Sequence, residues 1–242
     1  MKKIPLIVCI LFLTLLATFA QAEVFDFSKW TPYTANYSRI KILSPHEALF
    51  RILRISEKPK WDPESYGYAY LISGPILIGK KWNKIEIEGI WWREKGPENY
   101  QEMNLFIFAK KPLYPHRPKK GELPYTNFIT ISYDTWNKVI RFTDMGATKD
   151  TKSSHKIQRL IPLSPRRFKF VLFKRGEVWW EYWEQEEGVW EKIYEQEVSF
   201  LFHNINYPFD KLYLKIGGWT SWEEPIMSKL HFKNLSIKVF NQ

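Results

Sequence analysis

From residue 23 onward the chain contains no long amphipathic helix, and this most narrows what it can fold into. It is a series of short runs rich in aromatic and β-branched residues, punctuated by Pro, Gly, Asn and Lys, the pattern of an all-β domain. Strands are expected over 37–43, 48–55, 67–73, 84–93, 103–110, 127–133, 138–143, 168–174, 178–183, 190–197, 211–216 and 227–240. That is too many for a small sandwich and predicts two large antiparallel sheets packed face to face. KPLYPHRPKKGELP (111–124) and GATKDTKSSH (146–155) read as polar surface loops, too short to separate domains. No internal repeat is evident, so residues 23–242 are expected to form one domain.

Residues 1–22, MKKIPLIVCILFLTLLATFAQA, set a second expectation. Lys2 and Lys3 precede an apolar run ending near Leu16, and Ala20-Gln21-Ala22 offers the small-x-small pattern of signal-peptidase cleavage. The run is shorter than the roughly 20 residues of a spanning helix, so it reads as a cleaved signal peptide leaving no integral membrane span. The expected location is periplasmic or extracellular. Cys9, the single cysteine, would leave with the signal, and the mature chain would rely on packing without disulfides or thiolate ligands. Removing Lys2 and Lys3 from 36 basic residues leaves 34 against 26 acidic ones, a net charge of roughly +8. The signs are interspersed, and export without a nucleic-acid motif argues against nucleic acid as a partner.

GEVWWEYWEQEEGVWEK, residues 176–192, packs four of the twelve tryptophans together with six glutamates. Turns are expected at Arg175-Gly176-Glu177 and over Glu184 to Gly188, giving a three-stranded meander. Alternation puts Trp179, Glu181 and Trp183 on one face and Val178, Trp180 and Tyr182 on the other. Both faces are aromatic, although a sandwich strand needs only one apolar face. The face carrying Glu181 is expected to be the outer one, because burying an unpaired carboxylate is costly. KWNKIEIEGIWWRE repeats the pattern: Ile85, Ile87 and Trp91 take the core parity, and Trp82, Glu86, Glu88, Trp92 and Glu94 the other. GGWTSWEEP places Trp219 and Trp222 in an expected loop before the last strand.

Flat indoles stack on the apolar faces of sugar rings, and carboxylates accept hydrogen bonds from hydroxyls. The candidate ligand-binding residues are therefore Trp92, Trp179, Glu181, Trp183, Glu86, Glu88, Trp219 and Trp222. The expected partner is carbohydrate, such as a cell-envelope glycan. A glycoside hydrolase using Glu86, Glu88 and Glu181 is one alternative, since two carboxyls about 5 to 9.5 Å apart are what hydrolysis requires. An envelope protein-interaction domain with structural tryptophans is the other. His46, His116, His155, His203 and His231 show no metal-ligand spacing and read as surface or loop residues. No nucleophile elbow, phosphate loop or EF-hand-like run occurs.

The order of an opening aromatic segment (FDFSKWTPY), a middle hairpin (FKFVLFKRGEVWWEYW) and a closing strand (MSKLHFKNLSIKVF) resembles the concanavalin A-like lectin/glucanase jelly roll. That resemblance spans nearly the whole mature chain. It implies two antiparallel sheets with the last strand returning beside the first. Laminarinase-like hydrolases of that superfamily carry a Glu, an Asp two residues on, and a second Glu two or three residues later. Here Glu86 and Glu88 take the first two places, and Ile90 or Trp91 stands where the last Glu would be, so that activity is not implied. Calcium is a common structural ion in the superfamily, but the few aspartates indicate no site for it, and no other cofactor is expected.

Overall fold

The computed structural model describes residues 22–53, 66–95, 101–109, 111–112, 128–145, 152–198, 210–220 and 227–241. The expected signal segment up to residue 21, most of the 111–124 loop, His116, His203 and Trp222 lie outside them. Strands are numbered along the chain. One sheet runs, in spatial order, β14 (Val189–Glu197), β13 (Glu177–Glu186), β12 (Arg166–Arg175), β7 (Trp82–Arg93), β16 (Ser228–Asn241), β4 (Glu47–Ile52) and β3 (Arg39–Ser44). The short β1 (Glu23–Val24) pairs with β16, so the last strand does return beside the first. The second sheet runs β11 (Lys152–Gln158), β10 (Val139–Met145), β9 (Phe128–Asp134), β8 (Gln101–Phe108), β15 (Lys211–Thr220), β5 (Gly67–Ile72) and β2 (Thr31–Ala35). β6 (Ile76–Leu77) pairs with β15. All pairings are antiparallel, which is the two-sheet all-β sandwich expected.

The core lies between the sheets and is built from one parity of each strand. In β13 it takes Val178, Trp180 and Tyr182; in β7 it takes Ile85, Ile87 and Trp91. The Trp91 ring lies 4.6 Å from Phe168 within its own sheet and 5.3 Å from Tyr133 of the opposite sheet. Burying large apolar side chains of this kind stabilises the fold by about 1.5–3 kcal/mol each.

Four local expectations are corrected. Trp82 is fully buried in the core instead of sharing the face of Glu86. The register shift between Phe240 and Asn241 puts an extra residue in β7 there, which reverses its parity. Residues 152–158 form an edge strand, although 146–155 read as loop. Ile157 pairs with Ile140 and packs on the core, while exposed Lys156 gives the strand the charge typical of a protected edge. Gly217 to Thr220 continue β15 instead of opening a loop. Gly217 has φ +138°, and a Cβ there would lie 2.1 Å from the Ala69 carbonyl oxygen, so this close approach requires glycine. Finally, the turn after β13 is Glu187-Gly188, both at positive φ, and Glu184 belongs to the strand.

That last difference matters because strand parity carries Glu184 inward, where it is fully buried. Its carboxyl group accepts hydrogen bonds from the Tyr182 hydroxyl at 2.8 Å and from the Tyr133 hydroxyl, which reaches across from the second sheet. Arg159 Nε donates at 2.7 Å and Arg166 Nη1 at 3.2 Å. Burial, reinforced by the neighbouring carboxylate, pushes both phenols well above the ordinary tyrosine range, so they stay protonated donors. Glu184→Ala would leave two hydroxyls and two guanidiniums without their shared acceptor. It is expected to cost about 3–5 kcal/mol, read as a lower urea midpoint with an unchanged m-value.

Candidate functional site

The outer face of the first sheet follows from register. One transverse row reads Phe240, Lys84, Phe173, Trp179 and Glu197; the next reads Lys238, Glu86, Val171, Glu181 and Glu195. A third reads Ser236, Glu88, Lys169, Trp183 and Lys192, and a fourth joins Arg167 to Gln185 and Trp190. Trp179, Glu181, Trp183, Glu86 and Glu88 thus share one surface, as their alternation predicts. Trp92 lies on the same face of β7, where it stacks on His231 with ring centroids 4.3 Å apart. His231 is itself buried and pairs with Glu94 at 3.0 Å, so it is not the surface residue expected. Hydrogen bonds from Lys229 and His231 hold the Glu94 carboxyl below its usual range.

Every candidate carboxylate on this face already has a cation beside it. Lys84 lies 2.6 Å from Glu86, Arg167 lies 3.5 Å from Glu88, and Lys192 lies 3.4 Å from Glu181. Trp183 Nε1 also donates to Glu181 at 2.8 Å. Lys169 Nζ sits 4.5 Å from the Trp190 ring and 5.8 Å from the Trp183 ring, a cation–π arrangement that orients both indoles. Glu86 and Glu181 flank Val171 across two strand spacings, roughly 9.5 Å. The arrangement is a strip of half-buried indoles, two of them flanked by lysines, with carboxylates between them.

Trp219 falls elsewhere, on the outer face of the second sheet and largely buried. Its ring meets Tyr66 edge-on, with centroids 5.1 Å apart. Around it lies a set of residues the sequence reading passed over. Lys215 faces outward from β15, fully buried, with Nζ 3.8 Å from the Phe106 ring and 4.5 Å from the Tyr70 ring. Asn104 Nδ2 reaches the Tyr70 hydroxyl at 3.4 Å, across the gap left by side-chain-free Gly217. The available signal was LYLKIGGWT, in which the lysine shares parity with Tyr213 and Trp219. Among the described residues no group of three or more His, Cys, Asp or Glu side chains could hold a metal ion.

No family model matches the sequence, and no curated protein matches it. Solved structures do. A lectin from Bauhinia forficata in complex with GalNAc superposes with a TM-score of 0.53 at 8% identity, covering 92% of this chain and 99% of the lectin. The lectin UEA-II complexed with galactose gives 0.52 at 11% identity, over 91% and 98%. A family 7 alginate lyase, A1-II', in complex with product gives 0.51 at 10% identity, over 89% and 96%. The likeness is one of fold.

Burial drives the Lys215 amine well below the usual lysine range. Between that depressed value and the unfolded value of 10.5, the folded chain binds fewer protons than the unfolded one. Stability therefore rises with pH through this window. The contribution is complete above the unfolded value and is lost as pH falls through the folded one. Lys215→Met is expected to flatten this slope. Urea titrations from neutral to alkaline pH check it; equal destabilisation at every pH would show that the charge carries no cost.

Proposed function

We propose that this chain, a jelly roll of the concanavalin A-like class, binds carbohydrate along the tryptophan strip of its first sheet. What supports the reading is that Trp179, Trp183 and Trp190 stay part-exposed on one surface, in its first, third and fourth rows, with Lys169 and Lys192 flanking Trp183. Indoles held by neighbouring cations offer stacking faces at low conformational cost. The ion-paired Glu181, Glu86 and Glu88 keep some of their lone pairs for sugar hydroxyls, since a carboxylate can accept about four hydrogen bonds. The fold is also that of the galactose- and GalNAc-complexed lectins, which is consistent with this reading.

Trp183→Ala and Trp179→Ala are each expected to weaken retention of a bound glycan by about tenfold, equivalent to about 1.4 kcal/mol, with melting temperature little changed. Glycan-array screening followed by titration reads this directly; undiminished binding in both variants would remove the strip from the reading. Release of new reducing ends by the wild type, abolished in Glu86→Gln or Glu181→Gln, would favour a hydrolase instead. The lysine-led apolar segment supports an exported setting, and N-terminal sequencing of exported protein is expected to begin at Glu23.

A further inference from the structure

At one end of the sandwich, where both sheets meet, a pocket of about 430 Å³ opens between β7, the β9–β10 turn and the segment joining β11 to β12. The joining segment is fastened on both sides. The Arg93 backbone N–H donates to the Pro162 carbonyl at 2.8 Å, and the Arg159 N–H donates to the Lys138 carbonyl at 2.9 Å. Four cationic side chains line the pocket, Arg93, Lys138, Arg159 and Arg166, against one carboxylate, Glu186. Arg159 and Arg166 are aimed by buried Glu184 behind them and keep about a fifth of their side-chain surface exposed. Glu191 lies 3.3 Å from Arg159 and balances part of the charge. Among the described residues, the hydrogen bonds made by these two guanidiniums use Nε and Nη2 of Arg159 and both Nη atoms of Arg166. Nη1 of Arg159 and Nε of Arg166 keep donors for a ligand. The lining also includes Leu160 and Leu163, which are more than half exposed.

Preorganised guanidiniums in a rigid fork favour oxyanions. The volume falls in the range of small-molecule sites, about 300–1,000 Å³, and exposed leucines at a pocket mouth favour a ligand with an apolar flank. We propose that this pocket binds a small organic oxyanion, one or two rings in size, with its carboxylate or phosphoryl group on the arginines and its ring against Leu160 and Leu163. The site is separate from the tryptophan strip and does not depend on it.

Isothermal titration of the mature chain with glucuronate, glucose 6-phosphate, glucose and inorganic phosphate tests this. At least one sugar anion should bind about tenfold or more tighter than glucose, and which one does identifies the oxyanion. Lys138→Glu and Leu163→Glu alter exposed rim positions and leave the Glu184 network in place. Each is expected to weaken that binding by about tenfold or more, while Trp183→Ala leaves it unchanged. Four outcomes would overturn the assignment: no preference for either sugar anion over glucose, inorganic phosphate binding as tightly as the sugar anions, binding that survives both rim variants, or binding lost with Trp183→Ala.

Discussion

The carboxyl group of Glu184 is the constraint around which both sheets are arranged at one end of the sandwich. An acidic side chain excluded from water is tolerable only when its acceptor capacity is met, and here two hydroxyls and two guanidiniums meet it. One hydroxyl comes from each sheet, so the pair can close only when β9 and β13 face each other in one alignment. Apolar contacts such as Trp91 against Tyr133 tolerate a range of offsets; hydrogen bonds to a single carboxyl do not. The same interaction fixes the two arginines that form the wall of the end pocket.

Much of this architecture was legible because alternation is a strong signal. Val178, Trp180 and Tyr182 went inward and Trp179, Glu181 and Trp183 outward, on the argument that the carboxylate would stay near water. The parity rule held, but the assumption about where the strand stopped did not. Assigning Glu184 to a turn hid the residue for which burial of a carboxylate is the central fact. Trp82 was misplaced for a related reason, since one extra residue at a bulge reverses every side chain beyond it and leaves no trace in composition. Residues 152–158 were missed because an edge strand needs only one paired side, which frees its sequence to be polar.

The two outer faces show why a count of tryptophans could not by itself locate a site. On the first sheet the indoles alternate with lysines and glutamates that pair with one another, so charge keeps the surface wet and the rings half open. On the second sheet the aromatic residues surround a single lysine and shut it from solvent. Burial of that amine is paid for in stability at neutral pH. Trp219 belongs to this second environment because the glycine pair before it continues the strand. That follows from the space available beside Ala69, which no local pattern encodes.

Strip and pocket nevertheless draw on the same two strands. In β12, Arg166 reaches Glu184 and lines the pocket, while its neighbour Arg167 turns to the strip and lies 5.5 Å from the Trp190 ring. In β13, Glu184 and Glu186 serve the inner and end positions, while Trp183 and Gln185 serve the outer face. A period of two residues therefore lets one hairpin build two chemically different surfaces, arginine-lined on one side and indole-bearing on the other. The coupling has a consequence for any change in register. A slip of one residue between β12 and β13 would bring Arg167 toward the buried carboxyl and Arg166 toward the indoles, exchanging the two surfaces at once. The Glu184 contacts resist that slip, because of the two neighbours in β12 it is Arg166, not Arg167, that presents its guanidinium to the carboxyl, while Arg159 and Tyr133 hold the same group from other elements.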